Sequence, residues 1–201
     1  MTSSECSWDQ FALLLVDVQQ DFWPERLAEH FPDFPDNVSR LLETCRSQGL
    51  EVVHLRASFQ PDMSDWMPRY RLRGRIPCIA GTEGVAVLPF AHEEPGEKVI
   101  LKQTFGGFHN PELGRYLHDR RKRFLLVAGL VTSTCVLFTA SSATQLGFLC
   151  AVVEDCCADE PVAHQQTLDR YRFIFDLAPS DRLVDLHSDW SEQLASLLPE
   201  G

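Results

Sequence analysis

Three residues of this 201-residue chain whose types together support covalent catalysis lie at or just beyond the ends of three predicted strands: Asp17, Lys102 and Cys135. Ligands of an open parallel sheet bind beyond the carboxyl ends of its strands. We therefore expect the acid, the amine and the thiol to lie at one edge of the sheet. Taken alone, each also fits a structural role, as a cap, a solvated strand end or a core thiol. Their shared position after strands favours a nucleophilic site.

The chemistry expected of such a site is attack by a thiolate. A free thiol has a pKa of about 8.5, and a helix N-terminus beside a cation lowers it, which predicts an activated Cys135 next to Lys102. Asp17 would take the thiol proton and later pass it to a leaving amine. The unpaired backbone N–H groups at the start of the helix would stabilise an oxyanion.

Strand and helix patterns alternate along the chain, which predicts a parallel sheet covered by helices on both faces in one domain over residues 1–201. The segment 58–95 interrupts this alternation with Pro, Gly and Arg residues, and we interpret it as a long functional loop. The predicted strands span residues 11–17, 51–56, 98–102, 124–129, 148–154 and 172–175. The predicted helices lie between Pro35 and Gly49 and over 135–146, 161–171 and 189–198.

Composition limits the partners and the compartment. The net charge of −11 disfavours a nucleic-acid partner. No stretch approaches the roughly 20 apolar residues of a membrane span, and the N-terminus lacks a signal-peptide pattern, so a cytoplasmic protein is expected. The seven cysteines include no Cys-x-x-Cys pair, so we expect buried, reduced thiols and neither a metal nor another cofactor.

Three spaced motifs carry a resemblance to a known family. They are Asp17-Val-Gln-Gln-Asp-Phe22, the segment 95–108 centred on Lys102, and Gly129-Leu-Val-Thr-Ser-Thr-Cys-Val136. Together they resemble the isochorismatase-like cysteine hydrolase superfamily, in order over residues 11–178.

The resemblance implies a three-layer α/β/α, Rossmann-like fold with a six-stranded parallel sheet, assembled as homodimers or homotetramers. It implies Asp17 as the base, Lys102 as the second member of the triad and Cys135 as the nucleophile. It also implies a cis peptide between Leu130 and Val131, with the N–H groups of Val131 and Cys135 forming the oxyanion hole.

Two comparisons with members of this family restrict the activity that we expect. Nicotinamidases carry an Asp-x-His…His metal set after the second strand, whereas His54 is followed by no second histidine in 54–62. True isochorismatases resemble this sequence but replace the cysteine, because cleaving a vinyl ether needs a proton donor and no nucleophile. The retained Cys135 favours hydrolysis of the C–N bond of a small amide, carbamoyl or ureido compound.

Substrate contacts are predicted from residue type. Aromatic side chains would form the walls of the site, although each also fits the core or a subunit interface. Arg56, or one arginine between Arg69 and Arg75, would bind a substrate carboxylate. The predicted substrate-binding residues are Gln19, Phe22, Arg56, Trp66, Phe105, Phe108 and Leu130.

Two other functions remain open at this point. One is isochorismatase-type vinyl ether hydrolysis, for which Cys135→Ser would leave activity largely intact. The other is a catalytically idle family member that serves as a binding scaffold. The presence of all three residues of the triad disfavours the scaffold.

Overall fold

The computed structural model describes residues 7–197, and six parallel strands form one sheet in the order β3-β2-β1-β4-β5-β6. This confirms the predicted six-stranded parallel sheet. The strands are β1 (Phe11–Val16), β2 (Glu51–Ala57), β3 (Lys98–Lys102), β4 (Phe124–Leu130), β5 (Leu149–Ala158) and β6 (Asp176–Ala178).

The two central strands are apolar along their whole length. Every residue of β1 and of β4 is buried, because helices cover both faces of a parallel sheet. Successive strands are added on one side of β1 as far as β3 and then on the other side from β4 to β6. The reversal opens a crevice beyond the carboxyl ends of β1 and β4.

Seven helices accompany the sheet in the described part, and they complete the predicted three-layer arrangement. Apolar residues of α2 and α7 pack on one face of the sheet, and those of α4, α5 and α6 pack on the other. None of the described helices is long and apolar enough to cross a membrane. The helices are α1 (Glu25–His30), α2 (Phe34–Ser47), α3 (Pro68–Arg73), α4 (Pro111–Asp119), α5 (Leu137–Gln145), α6 (Pro161–Arg170) and α7 (Leu183–Ser196).

Two predicted elements near the C-terminus are misplaced. The predicted strand over 172–175 is wrong, because the chain turns there, with the Ile174 N–H donating to the Tyr171 carbonyl, and Phe173 is exposed. The edge strand begins only at Asp176. The last helix begins at Leu183 and not at residue 189. The predicted end of that helix, residue 198, lies outside the described residues.

The segment between β2 and β3 is ordered around a small apolar cluster of its own. Phe59, Trp66, Ile76 and Cys78 are buried against one another together with Ala57. Phe59 also pairs with the strand-like residue Ile79. This segment therefore forms a folded cap over the carboxyl edge of the sheet, and it contains α3.

No disulfide joins the six cysteines of the described residues, and all six are buried. Cys156 and Cys157 are neighbours in β5, and successive residues of a strand point to opposite faces. Accordingly, Cys156 packs in the core on one side of the sheet and Cys157 in the core on the other. Here the two thiols act as small apolar side chains.

A glycine next to the site sets how closely β1 and β4 approach. Gly129 has a φ of 122°, and a Cβ built on it would lie 2.0 Å from the carbonyl oxygen of Val16. Gly147 has a φ of 91° with nothing within 4 Å of the same position. Both glycines therefore need a positive φ, but only Gly129 lacks room for a Cβ atom.

Replacing these two glycines by alanine separates the clash from the backbone effect. We expect Gly147→Ala to cost about 1–2 kcal/mol of unfolding free energy because of the left-handed backbone alone. Gly129→Ala adds the clash with Val16, so the expected loss is about 4 kcal/mol or more. Urea denaturation measures the unfolding free energy of both variants. Equal losses would contradict the prediction, because they would show that β1 and β4 can move apart without cost to accommodate the added methyl group.

Candidate active site

The acid of the site is placed by the end of β1. Asp17 has a φ of 50°, a left-handed conformation that aspartate tolerates, and it turns the chain out of the sheet. Its side chain is fully buried. One carboxylate oxygen accepts the Ala57 N–H at 2.9 Å, and the other accepts Lys102 Nζ at 2.6 Å. Both oxygens of the carboxylate are thus fixed by hydrogen bonds.

Lys102 reaches Asp17 across an intervening strand. β3 is separated from β1 by β2, about 10 Å in total at the usual spacing of strands, and Ala57 is the β2 partner of Lys102. The small side chain of Ala57 leaves room for the lysine to pass. Its Nζ lies 2.6 Å from Asp17 Oδ2, 2.9 Å from the Thr104 carbonyl oxygen and 3.6 Å from Cys135 Sγ. These contacts engage all three hydrogens of the ammonium.

Cys135 lies in the short connection between β4 and α5. The peptide bond between Leu130 and Val131 is cis, as the resemblance implied. A wide π-helical turn over Thr132–Val136 follows and leads into α5. Two N–H groups of this turn, from Thr134 and Val136, donate to the Val131 carbonyl at 3.1 and 3.3 Å. Cys135 is 5% exposed.

Polar side chains brace the same turn from the end of β5 and from α6. The Asp159 carboxylate accepts both the N–H and the hydroxyl of Ser133, at 2.8 and 2.5 Å. The Thr132 hydroxyl lies 2.8 Å from His164 Nδ1. These contacts tie the turn that carries Cys135 to the end of β5 and to α6.

Burial governs the protonation of the three groups. It raises the pKa of the Cys135 thiol well above its usual range, and the Asp17 carboxylate adds to the effect. It also raises the pKa of Asp17 against the opposing attraction of Lys102. Burial works to lower the pKa of Lys102, but the attraction of Asp17 and Cys135 outweighs it and leaves that pKa raised. The prediction of a lowered thiol pKa is therefore wrong in sign, because burial favours the protonated thiol.

A cavity of about 140 Å³ opens above the three groups. Its walls are mainly apolar, and several come from the cap between β2 and β3. The lining residues are Asp17, Phe22, Ala57, Phe59, Met67, Tyr70, Ile76, Pro77, Lys102, Thr104, Phe105, Val131, Thr134 and Cys135. The cap thus closes the site of its own chain.

Some of the predicted site residues meet at this cavity. Asp17, Lys102 and Cys135 form its polar floor, and Val131, Phe22 and Phe105 line it. The other predicted substrate contacts do not line it. Leu130, Trp66 and Phe108 pack in or against the three apolar clusters of the core, since their side chains are the apolar fill around the site.

Two polar residues predicted to contact the substrate have other partners. Gln19 accepts the Ala57 N–H and donates to the carbonyls of Ala57 and Val85, so its amide ties the end of β2 to the cap. Arg56 pairs with Glu93 and lies outside the lining of the cavity. Residues 69, 71, 73 and 75, all arginines, are exposed and do not line it either.

The residues that sequence reasoning missed come mostly from the cap. Their signal was faint: isolated apolar residues in a polar, proline-containing segment. They are Phe59, Met67, Tyr70, Ile76 and Pro77, together with Thr104 and Thr134 within the catalytic motifs.

The histidine near the position where nicotinamidases carry metal ligands has a structural partner. His54 is 2% exposed in β2, and its Nε2 lies 2.8 Å from Glu97 Oε2. Burial lowers its pKa despite the contact with Glu97. Within residues 7–197, no group of three His, Cys, Asp or Glu side chains is arranged to hold a metal ion.

The sequence that builds this site matches a known protein family. The family model "Isochorismatase domain" matches residues 11–175. The chain belongs to the isochorismatase family. The match spans every strand but β6 and includes the three groups of the cavity floor, and it identifies the chain as a hydrolase of this family.

Individual relatives agree with this assignment. A nicotinamidase of Escherichia coli is 26% identical over 211 residues, covering 90% of this chain and 97% of the relative. A maleamate amidohydrolase of Pseudomonas putida is 28% identical over 155 residues, covering 74% and 72%. The crystal structure of an isochorismatase family protein from Desulfovibrio vulgaris superposes with a TM-score of 0.81 at 28% identity, covering 89% and 98%.

The buried ion pair between Lys102 and Asp17 should contribute to the unfolding free energy of the protein. Lys102→Met leaves the Asp17 carboxylate without its counter-charge, so we expect a loss of about 3–5 kcal/mol of unfolding free energy. Adding Asp17→Asn should recover part of that loss, because it removes the uncompensated charge. Urea denaturation measures both variants. Arg172→Met, which breaks an exposed pair with Asp169, is the control, with an expected loss of at most about 1 kcal/mol.

The same contacts predict how Asp17 affects the reactivity of the thiol. Because the carboxylate helps to raise the pKa of Cys135 while Lys102 opposes it, Asp17→Asn should lower that pKa. Alkylation of Cys135 by iodoacetamide should then set in at lower pH in the variant than in the native protein. Mass spectrometry of the Cys135 peptide gives the rate, with the Cys45 peptide as internal reference. A midpoint that moves upward would contradict the arrangement.

Proposed function

We propose that this protein is a cysteine hydrolase that cleaves the C–N bond of a small amide, carbamoyl or ureido compound through a thioester. One observation carries the proposal: Lys102 Nζ touches both Asp17 and Cys135 Sγ at the floor of a cavity. A thiol, a base and a cation in mutual contact are what nucleophilic attack on a carbonyl requires. The amidases among the relatives support the same reaction class.

The first half-reaction forms the thioester. The proton of the Cys135 thiol passes to Asp17, whose carboxylate shares the Lys102 ammonium with the sulfur. The sulfur attacks the carbonyl carbon, and a C–S bond forms as the oxygen becomes an oxyanion. When the intermediate collapses, the C–N bond breaks and Asp17 returns its proton to the departing amine. Lys102 balances the negative charge on either partner throughout.

The second half-reaction restores the enzyme. Asp17 takes a proton from a water molecule, whose oxygen attacks the thioester carbon. The C–S bond breaks, and the sulfur recovers the proton from Asp17. The products are the carboxylic acid and the amine or ammonia. Because each proton moves between Asp17 and a neighbour, the charge of the buried site stays constant during both steps.

Backbone donors complete the proposed machinery. Val131 and Cys135 both line the cavity, and their N–H groups are proposed to bind the oxyanion. Fixed backbone donors need no rearrangement as the charge develops, and one such donor contributes about 10²–10³-fold in kcat in other enzymes. The brace between Ser133 and Asp159 supports the turn that carries them.

The test is ammonia release from a panel of small primary amides, ureas and carbamoyl compounds, including nicotinamide. With a substrate found, Cys135→Ala is expected to lower the rate by at least about 10³-fold, since no other group replaces the nucleophile. Cys135→Ser and Asp17→Asn should also lose nearly all activity. Arg172→Met, remote from the cavity, is the control and should retain the native rate.

Two outcomes would count against the proposal. Native rates in Cys135→Ser would mean that the sulfur is not a nucleophile and would favour vinyl ether hydrolysis, in which a proton donor suffices. No release from any member, together with a Cys135 that iodoacetamide labels no faster than the buried Cys45, would favour a binding scaffold.

A further inference from the structure

We propose that the cavity selects uncharged, apolar amides over amides that carry a carboxylate. This inference rests on the proposed function and goes further by naming the class of substrate. It replaces the sequence-based expectation that an arginine binds a substrate carboxylate.

The walls of the cavity lack a group that pairs with an anion. Phe22, Phe59, Met67, Ile76 and Phe105 cover most of it, and no arginine or histidine is among its lining residues in the described chain. The neutral hydroxyls of Tyr70 and Thr134 also line it and can orient a carboxamide. They provide no charge to offset that of a carboxylate.

Among the described residues that line the cavity, Lys102 is the only cation, and its hydrogen-bond donors are already in use. Lys102 directs its three hydrogens at Asp17, the Thr104 carbonyl and Cys135. A substrate carboxylate would therefore find no free hydrogen on Lys102, and it would lie close to the negative charge of Asp17. Burial of an ion without a partner is strongly unfavourable. An alkyl or aryl group in the same space gains from leaving water.

The arginines near this edge of the sheet are engaged or separated from the cavity. Arg56 is paired with Glu93. Arg26 lines a neighbouring depression that shares Phe22 and Val131 with the cavity. That depression also holds three carboxylates, those of residues 21, 159 and 160, so its charge does not favour a second anion.

The size of the cavity limits the acyl group. Its volume of about 140 Å³ is close to the roughly 150 Å³ of a dry protein cavity that holds benzene. A single ring or a branched chain of about five or six carbons therefore fits. A larger acyl group would have to extend out of the cavity, toward solvent or the neighbouring depression.

A pair of substrates with the same shape tests the inference. The isopropyl end of 4-methylpentanamide and the carboxylate of succinamate have nearly the same outline and differ in charge. We expect kcat/KM for ammonia release to be at least 100-fold higher for 4-methylpentanamide, with the release abolished in Cys135→Ala. A preference for succinamate that also depends on Cys135 would overturn the inference and leave the proposed function standing.

A binding measurement tests the selectivity even if neither compound is hydrolysed. Each compound is tested for protection of Cys135 from iodoacetamide in the native protein. If neither amide is hydrolysed, protection by 4-methylpentanamide alone supports the selectivity and counts against the proposed reaction. Protection by succinamate, or by neither compound, overturns the inference. Loss of succinamate binding in Arg26→Gln would then place the carboxylate in the neighbouring depression.

Placing a cation in the wall should weaken the preference for the uncharged amide. Met67 lines the cavity at the start of α3, and the flexible Met67→Arg side chain would bring a guanidinium to the substrate. We expect the ratio of kcat/KM values to shift toward succinamate by at least 10-fold. Met63→Arg, on an exposed residue outside the cavity, is the matched control and should leave the ratio unchanged.

Discussion

The ion pair between Lys102 and Asp17 constrains the rest of the site, because both charges are almost completely removed from water. Buried charges are tolerated only where hydrogen bonds satisfy their remaining atoms. That condition is met here by the Ala57 N–H and the Thr104 carbonyl, which depend on the strand order and on where each strand ends. Cys135 then completes a neutral group of three, in which a proton can move without a change in the total charge.

Much of the fold was predictable because burial on both faces leaves a clear mark on a sequence. The strands from β1 to β5 are apolar runs, and their positions were predicted to within a few residues. Elements at the edge carry weaker marks, since Asp176–Ala178 is short and half-exposed. The missed helix α4 had local signals that were passed over: Asn110 caps it by accepting the Glu112 N–H, and proline occupies its first position.

The candidate site was also predictable in part: local sequence indicated some of its residues, and tertiary contacts place the others. The positions of Asp17, Lys102 and Cys135 at strand ends follow from the topology of a parallel sheet. The walls do not, because the cap contributes residues such as Phe59 and Met67 through contacts distant in sequence. Nor did the sequence reveal the direction of the thiol pKa. The expected helix N-terminus and lysine are local features, whereas the burial that outweighs them arises only from the assembled core.

The protonated state of Cys135 also bears on resistance to oxidation. This thiol lines the open cavity, whereas the thiols of residues 156 and 157 are packed within the two faces of the core. A small oxidant such as hydrogen peroxide therefore meets the nucleophile before it meets those structural cysteines. Because peroxide reacts with thiolates much faster than with thiols, the raised pKa of Cys135 slows the oxidation of this accessible sulfur between turnovers.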